Sequence, residues 1–551
     1  MLEVLPLSAN GKVDRAALPA PAREAKATAR ALSPAERTVA SIWARVLGIE
    51  VAELGPDDNF FHLGGHSLRA TQVVAQLREE FGTETPLRAI FEAPTVAALA
   101  AAVEAEGAGA GAGPALVARR RDPGEAVPLS LAQEQMWALE AAATPPGLYN
   151  ITALHRFSGP VDTGALRQAL VYLVDRHEIL RMGIADDGGR PYQFPIQHPP
   201  IDVAVTPATE ETLPGMLAAQ DAAPFDLSRP PLFRAGLFLL GDGSTRLALT
   251  MDHLICDGTA AAIFMNELVA AYEATAVGRS PSLPSLPVQF ADFARWQRSR
   301  VTDDVLRRQL DWWRATLAGM PLGPAVPFDH VPATPSRRIA SRAVAVPERT
   351  RLRLDKVARA TGSTVFTVAV AAVGALLGRH GGSTDVVMST TLSGRTRAEL
   401  EDLIGMFSGI GRLRTDLSGD PSFTTIVVRT RDRVLGMFEN QDIPFMRVRR
   451  SLLPDFPTEG LALAAALPTE LQYFHKGDDV ELFFRGQLHP LSVTLLDDGT
   501  RLRGALSYKL DFYDEATVDR LAHDLERLID AVGDDPSLRL SELPVSPLRR
   551  R

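Results

Sequence analysis

The sequence predicts two unlike folding units on one chain: a small helical bundle, then a large α/β unit of two lobes. Three observations predict this. Between residues 33 and 105, helix-start signals precede apolar residues at helical spacing. Residues 106–126 open on Glu106-Gly107-Ala108-Gly109-Ala110-Gly111-Ala112-Gly113-Pro114, which has too little side chain to bury a core and reads as a flexible linker. From residue 127, strand-like runs such as Leu247–Met251 and Asp385–Ser389 alternate with helical runs such as Ala260–Tyr272. That stretch of about 420 residues exceeds one ordinary core, so two lobes are expected, over 127–300 and 301–545.

In order along the chain, residues 1–20 contain a turn signal at Asn10-Gly11, and residues 21–32 read as linker. Ser33-Pro34-Ala35-Glu36 starts a helix: a cap, a proline at the first position and a glutamate three residues on. Ile42, Trp43, Val46 and Leu47 follow at helical spacing. The stretch Asp58-Asn59-Phe60-Phe61-His62-Leu63-Gly64-Gly65-His66-Ser67-Leu68 then leads an aromatic pair through two glycines to a serine at the mouth of a helix. Free N–H groups and the helix dipole favour an anion at that point, so a phosphodiester on the Ser67 hydroxyl would be held there. A plain helix cap is the plainer reading of the same residues. An esterase nucleophile elbow, G-x-S-x-G, needs a glycine where Arg69 stands. Pro94-Thr95-Val96 opens a third, alanine-rich helix. Arg119-Arg120-Arg121 reads as a solvated charge run, and residues 546–551 as a tail.

Of the 551 residues, 46% are hydrophobic, enough for substantial cores. The net charge of -9 argues against a nucleic-acid binder. A single cysteine, Cys256, excludes an internal disulfide framework and suits a cytoplasmic location. No apolar run reaches membrane-spanning length, and Met1–Arg15 lacks the pattern of a signal peptide.

Chemistry concentrates at Met251-Asp252-His253-Leu254-Ile255-Cys256-Asp257-Gly258, directly after an apolar strand. Gly258 releases the backbone into a helix, so His253 and Asp257 fall in a strand-to-helix loop, where active groups tend to sit. A metal site from Asp252, His253 and Asp257 would have one imidazole and no second histidine nearby, so no metal is expected. The apolar stripe Phe264, Leu268 and Tyr272 reads as core, His177 as structural, and His66 as a surface residue.

These segments resemble nonribosomal peptide synthetases. Asp58–Leu68 resembles the phosphopantetheine attachment site of a peptidyl carrier protein, a four-helix bundle, which implies 4'-phosphopantetheine on Ser67 and a carrier over residues 33–105. Leu5–Arg15 resembles the C-terminal end of an adenylation domain, with Lys12 as its motif lysine. Met251–Gly258 resembles the HHxxxDG motif of condensation domains. Ser130–Trp137, Arg176–Arg181, Asp292–Gln297, Gly394-Arg395 with Ile404–Phe407, and Gln441–Phe445 are similar to further motifs of that family, in order. The resemblance implies two chloramphenicol-acetyltransferase-like lobes with a tunnel between them. It implies that an amine on one carrier attacks an acyl thioester on another. His253 would orient the amine or take its proton, the Gly258 N–H would face the oxyanion, and Asp257 would pair with Arg395 across the lobe junction. An isolated buried carboxylate is costly, so Asp257 needs such a partner.

The chain departs from the family's pattern at several places. Asp252 stands for the motif's first histidine, and strand alternation turns it away from His253, into packing where it needs a donor or a cation. Asn440, Thr259-Ala260 and residues 456–474 also depart, which bears on substrate preference and on the bond formed. The implied partners are a phosphopantetheinyl transferase with coenzyme A, an upstream adenylation domain, a downstream acceptor carrier, and acyl or aminoacyl thioesters. Neither a nucleic acid nor a membrane is expected. Two alternatives stand beside peptide-bond formation: a domain that makes an ester, or releases or modifies the chain, and a noncatalytic platform that recruits a tailoring enzyme.

Overall fold

The structure, a computed structural model, describes residues 30–65, 67–83, 85–107, 114–141, 147–333, 336, 338–457, 462–463, 466–475, 481–484 and 489–545. Residues 1–20 with Lys12, His66, most of the Gly-Ala run and the tail 546–551 lie outside the described residues.

The first unit is all-helical: α1 (Pro34–Leu47), α2 (Ser67–Phe81), α3 (Arg88–Glu92) and α4 (Val96–Glu106). The Ser33 hydroxyl accepts from the Glu36 N–H at 3.2 Å while the Glu36 carboxylate accepts from the Ser33 N–H at 2.7 Å, so the predicted capping box forms. Val39, Ile42 and Trp43 of α1 are fully buried against Phe60, Val73, Leu77 and Leu99.

The N-terminal half of the second unit contains β1 (Val127–Pro128), α5 (Leu131–Ala141), β2 (Ile151–Phe157), α6 (Thr163–Arg176), β3 (Met182–Asp186), β4 (Pro191–Pro195), β5 (Val203–Ala208), α7 (Leu213–Ala222), β6 (Phe233–Leu240), β7 (Thr245–Met251), α8 (Gly258–Ala276) and α9 (Phe290–Arg300). Its C-terminal half contains α10 (Asp303–Leu317), β8 (Ile339–Val346), α11 (Glu348–Ala360), α12 (Val365–Gly381), β9 (Asp385–Leu392), β10 (Gly409–Asp416), α13 (Phe423–Glu439), α14 (Phe445–Leu452), β11 (Thr469–His475), β12 (Glu481–Phe484), β13 (Leu491–Asp497), β14 (Leu502–Lys509) and α15 (Glu515–Asp534).

Each half builds a mixed sheet over its own core. The first has strand order β12-β2-β7-β6-β5 and the second β10-β9-β11-β13-β14-β8; a small sheet β1-β4-β3 flanks the first. The halves exchange material. Strand β12 comes from the C-terminal half yet pairs antiparallel with β2, Leu482 opposite Ala153. Leu400, Leu403, Ile404, Met406 and Phe407 likewise pack into the first core. Among the described residues no single helix is long and apolar enough to cross a membrane.

The arginine run corrects the sequence reading. Arg121 is not solvated: its side chain is 2% exposed and pairs with Glu178 at 3.2 Å and Asp292 at 2.5 Å. The Trp296 Nε1–H also donates to the Pro114 carbonyl at 2.6 Å, and Leu116 is buried in the first core. The described part of the linker, residues 114–126, is thus laid along the second unit, because burying Leu116 and pairing Arg121 outweigh the freedom of a short polar run.

Candidate functional site

On the helical unit, local contacts present Ser67. Phe60 is fully buried, its ring 5.2 Å from Trp43, and Phe61 lies 4.9 Å from Phe91. The Phe60 N–H donates to the Pro94 carbonyl at 2.9 Å and the Val96 N–H to the Asp58 carbonyl at 3.2 Å, which ties this stretch to the start of α4. The chain then doubles back. Gly64 has φ +93°, and a Cβ on Gly65 would lie 2.3 Å from the Phe60 ring. Only glycine permits that approach, and it delivers the backbone to Ser67, the first residue of α2. These residues fit a phosphopantetheine arm: a serine in the first turn of a helix, reached over a cradle that a Cβ would fill. When attached, the arm supplies a thiol that carries an acyl chain as a thioester.

The helical unit is seated on the second unit. Gln72 of α2 donates to the Glu401 carboxylate, and Arg397 pairs with Glu79 of α2 at 2.9 Å. The Arg88 N–H of α3 donates to Glu439 at 3.3 Å, and Leu435 of α13 is buried within the carrier's apolar cluster. Sequence reading missed this face, because its polar residues are scattered singly through unrelated helices and loops.

In the second unit, β7 ends at Met251 and α8 starts at Gly258, so residues 252–257 form the loop that the sequence predicts. The His253 Nδ1 lies 2.8 Å from the Cys256 carbonyl. A carbonyl only accepts, so Nδ1 carries the proton and Nε2 carries the lone pair. Burial pulls His253 below the ordinary histidine range, which favours the neutral ring at physiological pH. Burial pushes the Cys256 thiol well up, so this cysteine is inert.

Asp257 is 2% exposed and fully engaged. One oxygen caps α8 by accepting from the Ala260 N–H at 2.8 Å. The other accepts from the Phe407 and Ser408 N–H groups, each at 3.0 Å. Arg395 donates to both, at 3.2 and 3.0 Å. Arg395 also donates to the Leu403 carbonyl at 3.2 Å and lies over the Phe407 ring at 4.3 Å. Gly394 makes this possible: its φ is +65°, and a Cβ there would lie 2.1 Å from the Phe407 carbonyl oxygen. Asp257 and Arg395 therefore clamp residues 394–408 to the loop that bears His253. The same segment carries Arg397 and Glu401, which hold the carrier.

Asp252 is 4% exposed, and its Oδ1 accepts from the Leu254 N–H at 2.9 Å. Arg234 of β6 supplies the nearby cation. The sequence did not point to Glu140 at the end of α5, whose carboxyl burial, and then the Asp252 charge, pushes up to about 9. His177 is structural: its Nε2 lies 2.7 Å from the Glu267 carboxylate, which also takes Arg176 at 3.0 Å.

Comparison with known proteins fits this geometry. Residues 124–549 match the condensation-domain family, and residues 37–103 match the phosphopantetheine attachment site family. The chain is 35% identical over 578 residues to a linear gramicidin synthase protein of Brevibacillus parabrevis, covering 99% of this chain but 7% of that protein's length. In structure it is similar to the X-domain in a complex of the X-domain and OxyB from teicoplanin biosynthesis, with 31% identity and a TM-score of 0.68 over 80% of this chain and 99% of that one. It shares the fold of the first condensation domain of the CDA synthetase, with a TM-score of 0.61 and 20% identity over 77% of this chain and 100% of that one.

Proposed function

The chain belongs to the condensation-domain family of nonribosomal peptide synthetases, amide-bond-forming acyltransferases, with a phosphopantetheine carrier ahead of the condensation domain, and on that premise we propose that it passes an acyl or peptidyl group from its own carrier to the amine of an acceptor aminoacyl carrier. Ser67 is the attachment serine. His253 holds the amine and accepts its proton at Nε2. The Gly258 N–H, at the positive end of α8, faces the developing oxyanion. Asp257 touches neither substrate; with Arg395 it fixes the loop. The observation that carries this reading is His253 itself, half-buried, neutral and held in one tautomer by Cys256 beside the α8 N-terminus.

The carrier's seat supports it. Helix α2 lies on residues 397–401, and the same segment continues into the groups that hold Asp257. Residues 5–15 resemble the C-terminal end of an adenylation domain, the kind of domain that would load this carrier. A phosphopantetheinyl transferase with coenzyme A installs the arm, and the next module brings the acceptor. The single cysteine, Cys256, supports a reducing, cytoplasmic setting for the reaction.

A second reading follows from the X-domain likeness. On that reading the second unit is a platform that brings a tailoring enzyme to the carrier. One experiment separates the two. The chain is loaded on Ser67 with an acyl-phosphopantetheine and mixed with amine-bearing and hydroxyl-bearing acceptor carriers, and intact masses are read. Amide on the amine-bearing acceptor supports transfer. Ester on the hydroxyl-bearing one alone redirects it to ester formation, and no transfer to either leaves the platform.

A further inference from the structure

A buried cation without a bound counter-ion lies in the C-terminal half. Arg412 of β10 is 8% exposed, yet its guanidinium has few partners. Its Nη1 donates to the Ser389 hydroxyl at 2.7 Å and to the Gly411 carbonyl at 3.2 Å. Among the described residues, Nε and Nη2 have no acceptor and the side chain has no ion pair. Arg412, Ser389, Glu470 and Ser492 stand in register on four adjacent strands, so their side chains share one face of the sheet. Glu470 is two strands from Arg412, about 10 Å across the sheet. Its carboxylate accepts from the Ser492 hydroxyl at 3.1 Å.

Helix α14 brings a second arginine. Phe445 and Arg449 are four residues apart and lie on one face of that helix. The Arg412 guanidinium lies over the Phe445 ring at 4.0 Å, and that of Arg449 lies 5.2 Å from the Phe456 ring. Arg449 makes no side-chain hydrogen bond or ion pair with a described residue. Both arginines line one narrow cavity with Met320, Leu322 and Val387. The cavity has room for about one water-sized group, and Leu322, 53% exposed, stands where it meets solvent.

Burial pulls Arg412 down to about 9, Glu470 draws it back up, and Arg449 pushes it down again. The side chain stays charged at neutral pH. Two arginines that repel each other at one part-buried cavity call for an anion between them. A carboxylate suits the place best. Guanidinium forks match its two oxygens, the narrow space disfavours a bulkier phosphate, and the apolar wall suits an aliphatic stem.

We propose that Arg412 and Arg449 form a carboxylate-binding site, whose ligand is an aliphatic chain with a terminal carboxylate held between the two guanidinium groups. The carboxylate is either a free small molecule or part of a carrier-borne substrate. The strand keeps the second source within reach: Ser408, which donates to Asp257, lies four residues before Arg412, about 13 Å along β10. The binding site does not rest on the transfer reading; only its carrier-borne source does.

The test measures melting temperatures of the full chain at constant ionic strength with butyrate, butyramide or inorganic phosphate. Butyrate near saturation should raise the wild-type value by about 2 °C or more, and butyramide should not. The rise should vanish in Arg449→Gln and in Arg412→Met. Without ligand, Arg412→Met should melt at or above wild type, because methionine removes an unpaired buried charge at similar volume. No rise with butyrate, or an equal rise with phosphate, would overturn the carboxylate site. Glu459, outside the described residues, stands in sequence between the cavity residues Phe456 and Ala466. If ligand-free Arg412→Met melts below wild type and Glu459→Gln matches it, the chain's own acid answers the arginines and the proposal falls.

Single-turnover transfer separates the two sources. Wild type and Arg449→Gln are given carrier-borne chains of equal length that end in a carboxylate or a carboxamide. A preference of about tenfold for the carboxylate, lost in Arg449→Gln, supports the carrier-borne source. Equal rates with the butyrate rise intact support a free carboxylate. A wild type that transfers nothing would count against the transfer reading alone, and the melting shifts would still decide the site.

Discussion

Removing the Asp257 carboxylate should damage the fold more than removing the arginine it meets. In Asp257→Ala, the buried Arg395 guanidinium keeps only the Leu403 carbonyl and the Phe407 ring. The Phe407 and Ser408 N–H groups lose their acceptor, and α8 loses its cap. Breaking a buried pair by deleting one partner costs roughly 3–5 kcal/mol. A lost cap adds about 1 kcal/mol and each orphaned N–H about 1–3 kcal/mol, although these losses are not additive. A loss of at least about 3–5 kcal/mol is expected. In Arg395→Ala, Asp257 keeps three N–H donors, from Ala260, Phe407 and Ser408, so its charge stays solvated by the backbone. The loss there should be nearer the roughly 1.5–3 kcal/mol of one hydrogen bond between charged groups. Differential scanning calorimetry, which separates the carrier's transition from that of the larger unit, measures both. An Asp257→Ala melting temperature equal to wild type, or a larger drop in Arg395→Ala, would refute the clamp.

Two further outcomes follow from the carrier. A phosphopantetheinyl transferase with coenzyme A should add one phosphopantetheine to the wild-type chain and none to Ser67→Ala; an added mass in the variant would remove Ser67 as the attachment point. Arg397→Glu combined with Glu401→Lys should slow transfer from the tethered carrier by about fivefold, the scale of one partly exposed polar contact, while leaving transfer from a small thioester donor unchanged. Equal slowing of both donors would place these residues in the chemistry rather than in carrier seating.

Much of this arrangement was legible in local patterns. The capping box at Ser33-Pro34-Ala35-Glu36, the alanine-rich helix opened at Pro94-Thr95-Val96 and the loop at 252–257 all depend on neighbours within a few residues, and all three form. Helix α3, five residues long, carries too few residues to show a period, and the sequence reading did not single it out. Asp257 and Arg395 stand 138 residues apart in sequence, and their pairing came only through resemblance. Glu140 did not come at all: near the end of α5 it looks like a solvated residue, and only the folded chain buries it enough to push its carboxyl up to about 9. Arg121 misled for the converse reason. Three consecutive arginines look solvated, and only the placement of Glu178 and Asp292 turns one of them inward.

The central claim is that His253 performs transfer of the carrier's own acyl chain. It is tested most directly by single-turnover transfer from loaded Ser67 to an amine-bearing acceptor carrier, comparing wild type with His253→Ala by intact mass. Carrier loading should be unchanged in the variant, and amide formation should fall about 10²-fold or more, the scale of a positioned acid–base group. Amide formation by His253→Ala at the wild-type rate would contradict the account.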